Sequence, residues 1–453
     1  MGLKESPRAK DRMNAALNPE DQLQLLARKP FVARREYFGC LVYDRQNSDY
    51  IPFDEEATGI FEKSQTYSLD EVYRDLSETV TRQSFDTFIQ LCSSIGLVKD
   101  GTFQGVFLNN EMPEGAQYLS SPTAVYLQLT RYCNLACKHC WADAGAARPR
   151  ELTILDIKRI IDEMAQMGCF KLRLGGGEPL GRGDCFEVIQ YANSRGMKVS
   201  IATNATMATR AVATKLGELG IEEIKVSMDA GSEKSYDYLR GDRAYRKAMR
   251  GIKNLQELAK APIYFHAVLQ RDNLTEIPAL VKQAERFEVP RIVFDIVAPV
   301  GRAKENPKLL LTMDEANNAL DLARRIGETS RCKVEIAAKV PPPFQRKRVF
   351  DGFGSECGQL HCHINSEGLV AGSGWLGTVL PAGNIREKSL RELWHQGHGL
   401  KILRNNPGNN TCKKCDYFKS CRGGDRSRAY VTSGTLTDPD PLCLIARQAG
   451  GLS

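Results

Sequence analysis

The chain has 453 residues, 62 Lys plus Arg against 55 Asp plus Glu, and a net charge of +7. That length suggests about three domains at roughly 150 residues each; the charge falls short of the basic density of a nucleic-acid binder, and 42% hydrophobic with 8% aromatic residues excludes general disorder. No apolar run reaches the length of about 18 residues that a transmembrane helix needs, and the polar first 28 residues lack the apolar core of a secretory signal, so the cytoplasm is the expected compartment.

Residues 1–30 read as a charged tail with one helical stretch at 21–27. Residues 31–115 read as a small α/β module. A β-type run at 37–43 is followed by a polar turn and a short strand at 50–52. Helical periodicity then covers 55–61, 69–80 (with Ser68 as N-cap) and 82–95, and 98–107 reads as a β-wing around Gly101 and Gly105. Strands, helices and a wing together predict a winged helix. From residue 116 the texture becomes α/β. Strands at 125–130, 171–174, 198–202, 223–227, 263–269 and 291–296 alternate with helices at 153–167, 186–194, 208–219, 245–260, 274–287 and 313–326. Six βα units imply a parallel sheet, open or curved into a partial (β/α)6 TIM-like barrel, with chemistry on the loops at the C-terminal strand ends. From 331 to 453 regularity is lost while Gly, Pro and Cys rise, and such a domain usually needs metal.

There are 14 cysteines. In a chain without a leader, clustered Cys point to metal or redox chemistry rather than disulfides. Cys133-x3-Cys137-x2-Cys140 directly follows the first barrel strand. Three thiolates fall short of a four-ligand structural zinc site. A 4Fe–4S cluster held by three Cys leaves one iron open to chelate a small molecule. A second set, Cys412, Cys415, Cys421 and Cys443, completes a four-ligand site for zinc or iron–sulfur. Cys357 and Cys362 form a third group, while Cys40, Cys92, Cys169, Cys185 and Cys332 read as small buried residues.

The text CNLACKHC from Cys133 to Cys140 resembles the signature of the radical SAM superfamily, and Gly175-Gly176-Gly177-Glu178-Pro179 follows the second strand, where that family carries its GGEP motif. The resemblance implies a 4Fe–4S cluster and S-adenosylmethionine (SAM), with Cys133, Cys137 and Cys140 as cluster ligands. It further implies that Gly176, Gly177, Glu178 and Pro179 serve the methionine ammonium, with Ser227 and Arg240 on its carboxylate. Asn204 and Val297 would lie at the ribose and adenine, with His139 flanking the adenine. Residues 331–453 resemble a SPASM domain, through Ala382-Gly383-Asn384-Ile385, Leu390 and Leu393-Trp394. That makes Cys412, Cys415, Cys421 and Cys443 the ligands of one auxiliary iron–sulfur cluster. A complete SPASM domain has two further Cys where this chain has Ser373 and Asp425. The other auxiliary cluster is therefore either held by Cys357, Cys362 and Asp425 or missing.

The module at 31–115 resembles a RiPP recognition element, which binds leader peptides by strand addition. The matching text is Arg35-Glu36-Tyr37 onward, Phe53-Asp54-Glu55-Glu56-Ala57-Thr58, Ser68-Leu69-Asp70-Glu71-Val72 and Gly96-Leu97-Val98. Together these resemblances imply a radical SAM maturase of a ribosomally made precursor peptide, forming C–C, C–S or C–O cross-links between side chains through a 5′-deoxyadenosyl radical. The expected partners are that peptide and a ferredoxin or flavodoxin electron donor, with no nucleic acid or membrane. Backbone splicing, epimerisation, formylglycine formation and a non-enzymatic leader-binding scaffold are the alternatives. Formylglycine-forming relatives carry an Asp where this chain has Gly374. No residue stands out by spacing as a general base.

Overall fold

The computed structural model describes residues 18–336, 356–405, 408, 410–443 and 445–446. The chain divides into two compact units.

The first unit runs from Asn18 to Thr123 and is completed by Arg159–Phe170 and Ser194–Met197. Its strands are β1 (Phe31–Glu36), β2 (Gly39–Asp44), β3 (Asp49–Phe53), β4 (Val98–Lys99), β5 (Thr102–Phe103) and β6 (Gly105–Leu108). Four of them form one sheet in the order β3-β2-β1-β6, and β4 and β5 pair as a separate hairpin. The helices Glu55–Lys63, Leu69–Leu76 and Arg82–Ser94 start at the side-chain caps Asp54, Ser68 and Thr81; Ser68 and Glu71 complete a capping box. Phe31, Val42, Phe61, Leu97 and Phe107 form the core between sheet and helices.

The predicted strand at 37–43 divides differently. Tyr37 and Phe38 make the turn, and Gly39 opens β2. Gly39 has φ +136°, and a Cβ there would lie 2.4 Å from the Asp54 carbonyl carbon, so this turn requires glycine. β1 is not among the predicted strands, because FVARRE carries three charged residues. Two of those are buried: Arg34 is 1% and Glu36 2% exposed. Arg34 Nε donates to Glu36 Oε1 at 2.7 Å, and its other nitrogens donate to the carbonyls of Ser121, Pro122 and Gly168. Glu36 also accepts from the backbone and hydroxyl of Ser120. The pair is therefore hydrogen-bonded on both sides, as a buried charge must be.

The second unit holds a ten-stranded sheet in the order β13-β12-β11-β10-β9-β8-β7-β14-β15-β16. Its parallel centre is the six predicted strands: β7 (Ala124–Thr130), β8 (Lys171–Gly176), β9 (Lys198–Thr203), β10 (Glu223–Ser227), β11 (Ile263–Leu269) and β12 (Arg291–Ile296). Burial alternates along β9, β10 and β11. Leu172, Ile201, Val226 and Phe265 are buried, each contributing about 1.5–3 kcal/mol. Between them Arg173, Lys225, Tyr264 and His266 present a half-buried polar face. The sheet extends past the predicted strands. β13 (Lys333–Ile336) adds parallel to β12, and β14 (His361–Ile364) adds parallel to β7. β15 (Leu369–Ala371) and β16 (Gly383–Asn384) follow antiparallel.

Two connections differ from the sequence reading. A helix Glu233–Arg240 stands between β10 and the helix Ala244–Leu258. The helix predicted at 274–287 is a 3-10 turn Arg271–Glu276 followed by the helix Ile277–Arg286, with a proline in its first turn. No described helix is long and apolar enough to cross a membrane.

Candidate active site and cluster positions

The three-cysteine loop leaves the C-terminal end of β7. Its backbone is fixed by Cys133 N to Gly145 O at 2.8 Å and Gly145 N to Arg131 O at 3.0 Å. Arg302, after β12, clamps it from the other side: Nε donates to Cys137 O at 2.7 Å, Nη1 to Ala144 O at 2.7 Å, and the backbone N to Cys140 O at 3.0 Å. Gly301 permits this approach, since a Cβ would sit 2.3 Å from Cys140 O. Each thiol has a donor nearby. Asn204 Nδ2 lies 3.8 Å from Cys133 Sγ, Arg240 Nη1 3.9 Å from Cys137 Sγ, and Ala144 N 3.5 Å from Cys140 Sγ. Burial pushes the Cys137 thiol up to about 11, against the pull of Arg240, so a bound metal would have to supply the charge that makes it a thiolate. Three thiols ringed by donors on one braced loop fit a cluster with an open iron.

The glycines of the second motif bring two strand ends together. A Cβ on Gly176 would lie 2.4 Å from Thr130 O, and one on Gly177 2.0 Å from Tyr132 O. Gly177 N donates to Thr130 O and Glu178 N to Tyr132 O, at 2.8 and 2.7 Å, tying this motif to the chain entering Cys133. The Glu178 side chain is fully buried. It accepts from Thr203 Oγ1 at 2.7 Å, Asn204 N at 2.7 Å and Leu180 N at 3.2 Å. Burial raises its carboxyl to about 7 against those donors. Glu178 thus clasps the ends of β8 and β9, and Pro179 starts a short 3-10 turn beside it. Gly176, Gly177 and Asn204 border the cysteine loop directly.

Arg240 and His139 converge on Asp229, a residue the motif reading did not assign. Arg240 Nε and Nη2 lie 2.7 and 2.6 Å from Asp229 Oδ2, His139 Nε2 lies 3.0 Å from the same oxygen, and Val268 N donates to Oδ1 at 2.8 Å. Burial opposes the Asp229 charge, but Arg240 and His139 hold its carboxyl well below the usual range. Gln270 Nε2 lies 3.4 Å from His139 Nδ1, and Asn273 Nδ2 bonds the carbonyls of Asp229 and Val268. Asp229, Thr203, Gln270, Asn273 and Arg302 all follow or end a strand, which is the one signal that could have found them. Ser227 ends β10 and pairs in register with His266; Val297 N bonds Leu269 O. On the polar face His266 Nε2 lies 3.9 Å from Asp295 Oδ2, and burial with nearby Lys225 lowers His266 to about 3.

In the tail, Cys412, Cys415, Cys421 and Cys443 all line one open pocket, walled by Tyr417 and Phe418. Burial pushes Cys412 up to about 11, with Arg426 pulling the other way. Among the described residues no three Cys, His, Asp or Glu side chains converge on a single-ion position; the four thiols surround a volume instead. Four thiols around a space fit an iron–sulfur cluster. The third group fits one poorly. Cys362 lies on β14, and Cys357 bridges to His361. Asp425 caps the helix Arg426–Ser433, accepting from Ser427 N and Arg428 N at 2.8 and 3.2 Å, while Ser427 Oγ donates to Cys357 Sγ at 3.3 Å.

Comparison with known proteins agrees with this geometry. The Radical SAM superfamily profile matches residues 127–284. The chain is 29% identical over 346 residues to the AdoMet-dependent heme synthase of Methanosarcina barkeri, covering 72% of this chain and 97% of the relative. It is 28% identical over 333 residues to the mycofactocin maturase MftC of Mycobacterium tuberculosis, covering 72% and 84%. The crystal structure of Streptococcus suis SuiB bound to the precursor peptide SuiA shares the fold, with TM-score 0.71 at 17% identity over 92% of this chain and 98% of that one. Residues 127–284 form a radical SAM domain, and the protein is a radical SAM enzyme whose cofactors are a 4Fe–4S cluster and S-adenosylmethionine.

Proposed function

We propose that this enzyme matures a ribosomally made precursor peptide by oxidative cross-linking of side chains. The observation that carries the reading is the extent of the fold match. SuiB, solved with its precursor peptide, covers 92% of this chain, whereas the heme synthase and MftC alignments cover 72% each. On this reading the first unit is a winged-helix leader-binding module, and β3, at the edge of its sheet, receives the leader as an added strand. The second unit is a partial barrel followed by a SPASM domain.

Cys133, Cys137 and Cys140 hold the catalytic cluster, and Cys412, Cys415, Cys421 and Cys443 an auxiliary one. When bound, the cluster and SAM supply the electron and the carbon radical that removes a substrate hydrogen. The protein's part is positioning. Gly176 and Gly177 admit the methionine ammonium beside the cysteine loop. Arg240, anchored by Asp229, offers its remaining donors to the carboxylate. Ser227 stands with Arg240 at that carboxylate, Asn204, His139 and Val297 frame the nucleoside, and Glu178 holds the walls together. Closing a cross-link also releases one proton and one electron; the auxiliary cluster would take the electron, and Asp295, beside His266 on the polar face, offers a carboxylate for the proton.

Formylglycine formation is disfavoured by Gly374: a Cβ there would meet the Trp141 ring at 2.6 Å and His363 Nε2 at 3.1 Å, leaving no room for the aspartate that reaction's relatives carry. Oxidation of a tetrapyrrole is the second reading, favoured by the heme synthase alignment. The test incubates the anaerobically reconstituted full chain with SAM, dithionite, a leader–core precursor peptide and an iron-porphyrin carboxylate, and reads both by mass. A product lighter by two hydrogens supports cross-linking, and a change confined to deuterium uptake indicates epimerisation. An untouched peptide alongside a consumed iron-porphyrin carboxylate would establish the second reading.

A further inference from the structure

We infer that this chain carries one auxiliary cluster, at the Cys412 set, and that the second auxiliary position is closed by protein: an ion-pair network of Arg428 with Asp425 and Asp440, beside the Cys357 sulfur. The inference rests on the cluster assignments above. A 4Fe–4S cluster with no open iron is held by four thiolates, and iron–sulfur iron prefers soft sulfur to hard oxygen ligands. Here the four candidates are Cys357, Cys362, Ser373 and Asp425, so two thiols and two oxygens.

Both oxygens already have work. Ser373 Oγ accepts from Trp375 N at 3.2 Å. Asp425 Oδ1 accepts two backbone N–H groups of the helix it caps, and its Oδ2 lies 3.8 Å from Arg428 Nη2. Arg428 Nε in turn lies 3.2 Å from Asp440 Oδ1, and Asp440 Oδ2 accepts from Asp425 N at 2.8 Å. Asp440 is fully buried and Arg428 7% exposed, so each charge depends on the others for compensation. Gly424 allows the approach, since a Cβ there would lie 2.4 Å from that of Asp440. The Cys357 sulfur is not left facing a space either, because the Ser427 hydroxyl donates to it at 3.3 Å. Among the Cys412 set, by contrast, the four thiols share a pocket.

The test counts iron and acid-labile sulfide in the full chain after anaerobic reconstitution, with Mössbauer spectra to confirm cluster type. The expected content is about eight irons per chain. Cys357→Ala/Cys362→Ala should keep all of it. Asp425→Asn, which preserves the helix cap, should also keep it and serves if the double variant does not fold. Cys412→Ala/Cys415→Ala should lose half. About twelve irons in the wild type, or loss of a third of the iron in either Cys357→Ala/Cys362→Ala or Asp425→Asn, would overturn the inference. Failure of the parent assignments looks different: Cys133→Ala/Cys137→Ala/Cys140→Ala or Cys412→Ala/Cys415→Ala would then hold as much iron as the wild type.

Discussion

Replacing Asp229 by Asn keeps the side chain's shape and an acceptor for Val268 N–H, but removes the charge that Arg240 faces at 2.6 and 2.7 Å. Arg240 is 6% exposed, so its guanidinium would remain buried without a counter-charge. Breaking a buried pair from one side costs about 3–5 kcal/mol. The three tryptophans, Trp141, Trp375 and Trp394, all lie in the second unit, so their fluorescence reports its unfolding alone. With a urea slope of about 3 kcal/mol per molar, the unfolding midpoint should fall by about 1–1.7 M. Removing both charges, with Asp229→Leu and Arg240→Met, should restore most of the loss, so the double variant should be far less destabilised than the sum of the single changes. The sign with pH is fixed as well. A carboxyl held below its ordinary value stabilises the fold above about pH 4 and loses that contribution as pH falls, so the variant's deficit should be full at neutral pH and shrink in acid. A midpoint within about 0.3 M of wild type at pH 7 would refute the reasoning, since it would mean that Arg240 does not depend on Asp229.

Gly177→Ala should displace the chain entering Cys133, because its Cβ would lie 2.0 Å from Tyr132 O; 5′-deoxyadenosine formation should fall by about a hundredfold, checked by chromatography of the quenched reaction. Glu178→Gln should alter stability with pH. The folded carboxyl titrates at about 7 against an ordinary 4.5, so the wild type should lose on the order of 3 kcal/mol as pH rises through that window, and the Gln variant should lack this loss in urea titrations at each pH. Arg34→Met leaves Glu36 buried without its cation and should cost the first unit about 3–5 kcal/mol, seen as faster hydrogen exchange in β1 and β2 with those of the second unit unchanged.

The six central strands were legible because each is a short apolar-rich run, alternating in β9, β10 and β11 and nearly continuous in β7 and β12, set between stretches of helical period. The cysteine loop and the glycine motif were legible as text, and the structure gives the glycines a physical reason: Gly176 and Gly177 are bare because β7's exit passes over them. β1 was hidden because Arg34 and Glu36 read as surface when in fact they satisfy each other inside. β13 and β14 were hidden because strands of four residues carry too little pattern. The site's polar scaffold was hidden for a third reason. Asp229, Gln270 and Asn273 sit in turns, where polar residues are ordinary, and only tertiary contact distinguishes a buried anchor from a solvated one. Likewise a ligand and a helix cap look the same in sequence, and Asp425 could be read as either.

The central claim is that the Cys133, Cys137 and Cys140 loop generates radicals from SAM. The direct measurement is 5′-deoxyadenosine formed by the anaerobically reconstituted full chain with dithionite and precursor peptide, beside the Cys133→Ala/Cys137→Ala/Cys140→Ala variant. The account predicts product from the wild type and none from the variant. Equal product from both, or none from a wild type fully loaded with iron and supplied with its peptide, would contradict it.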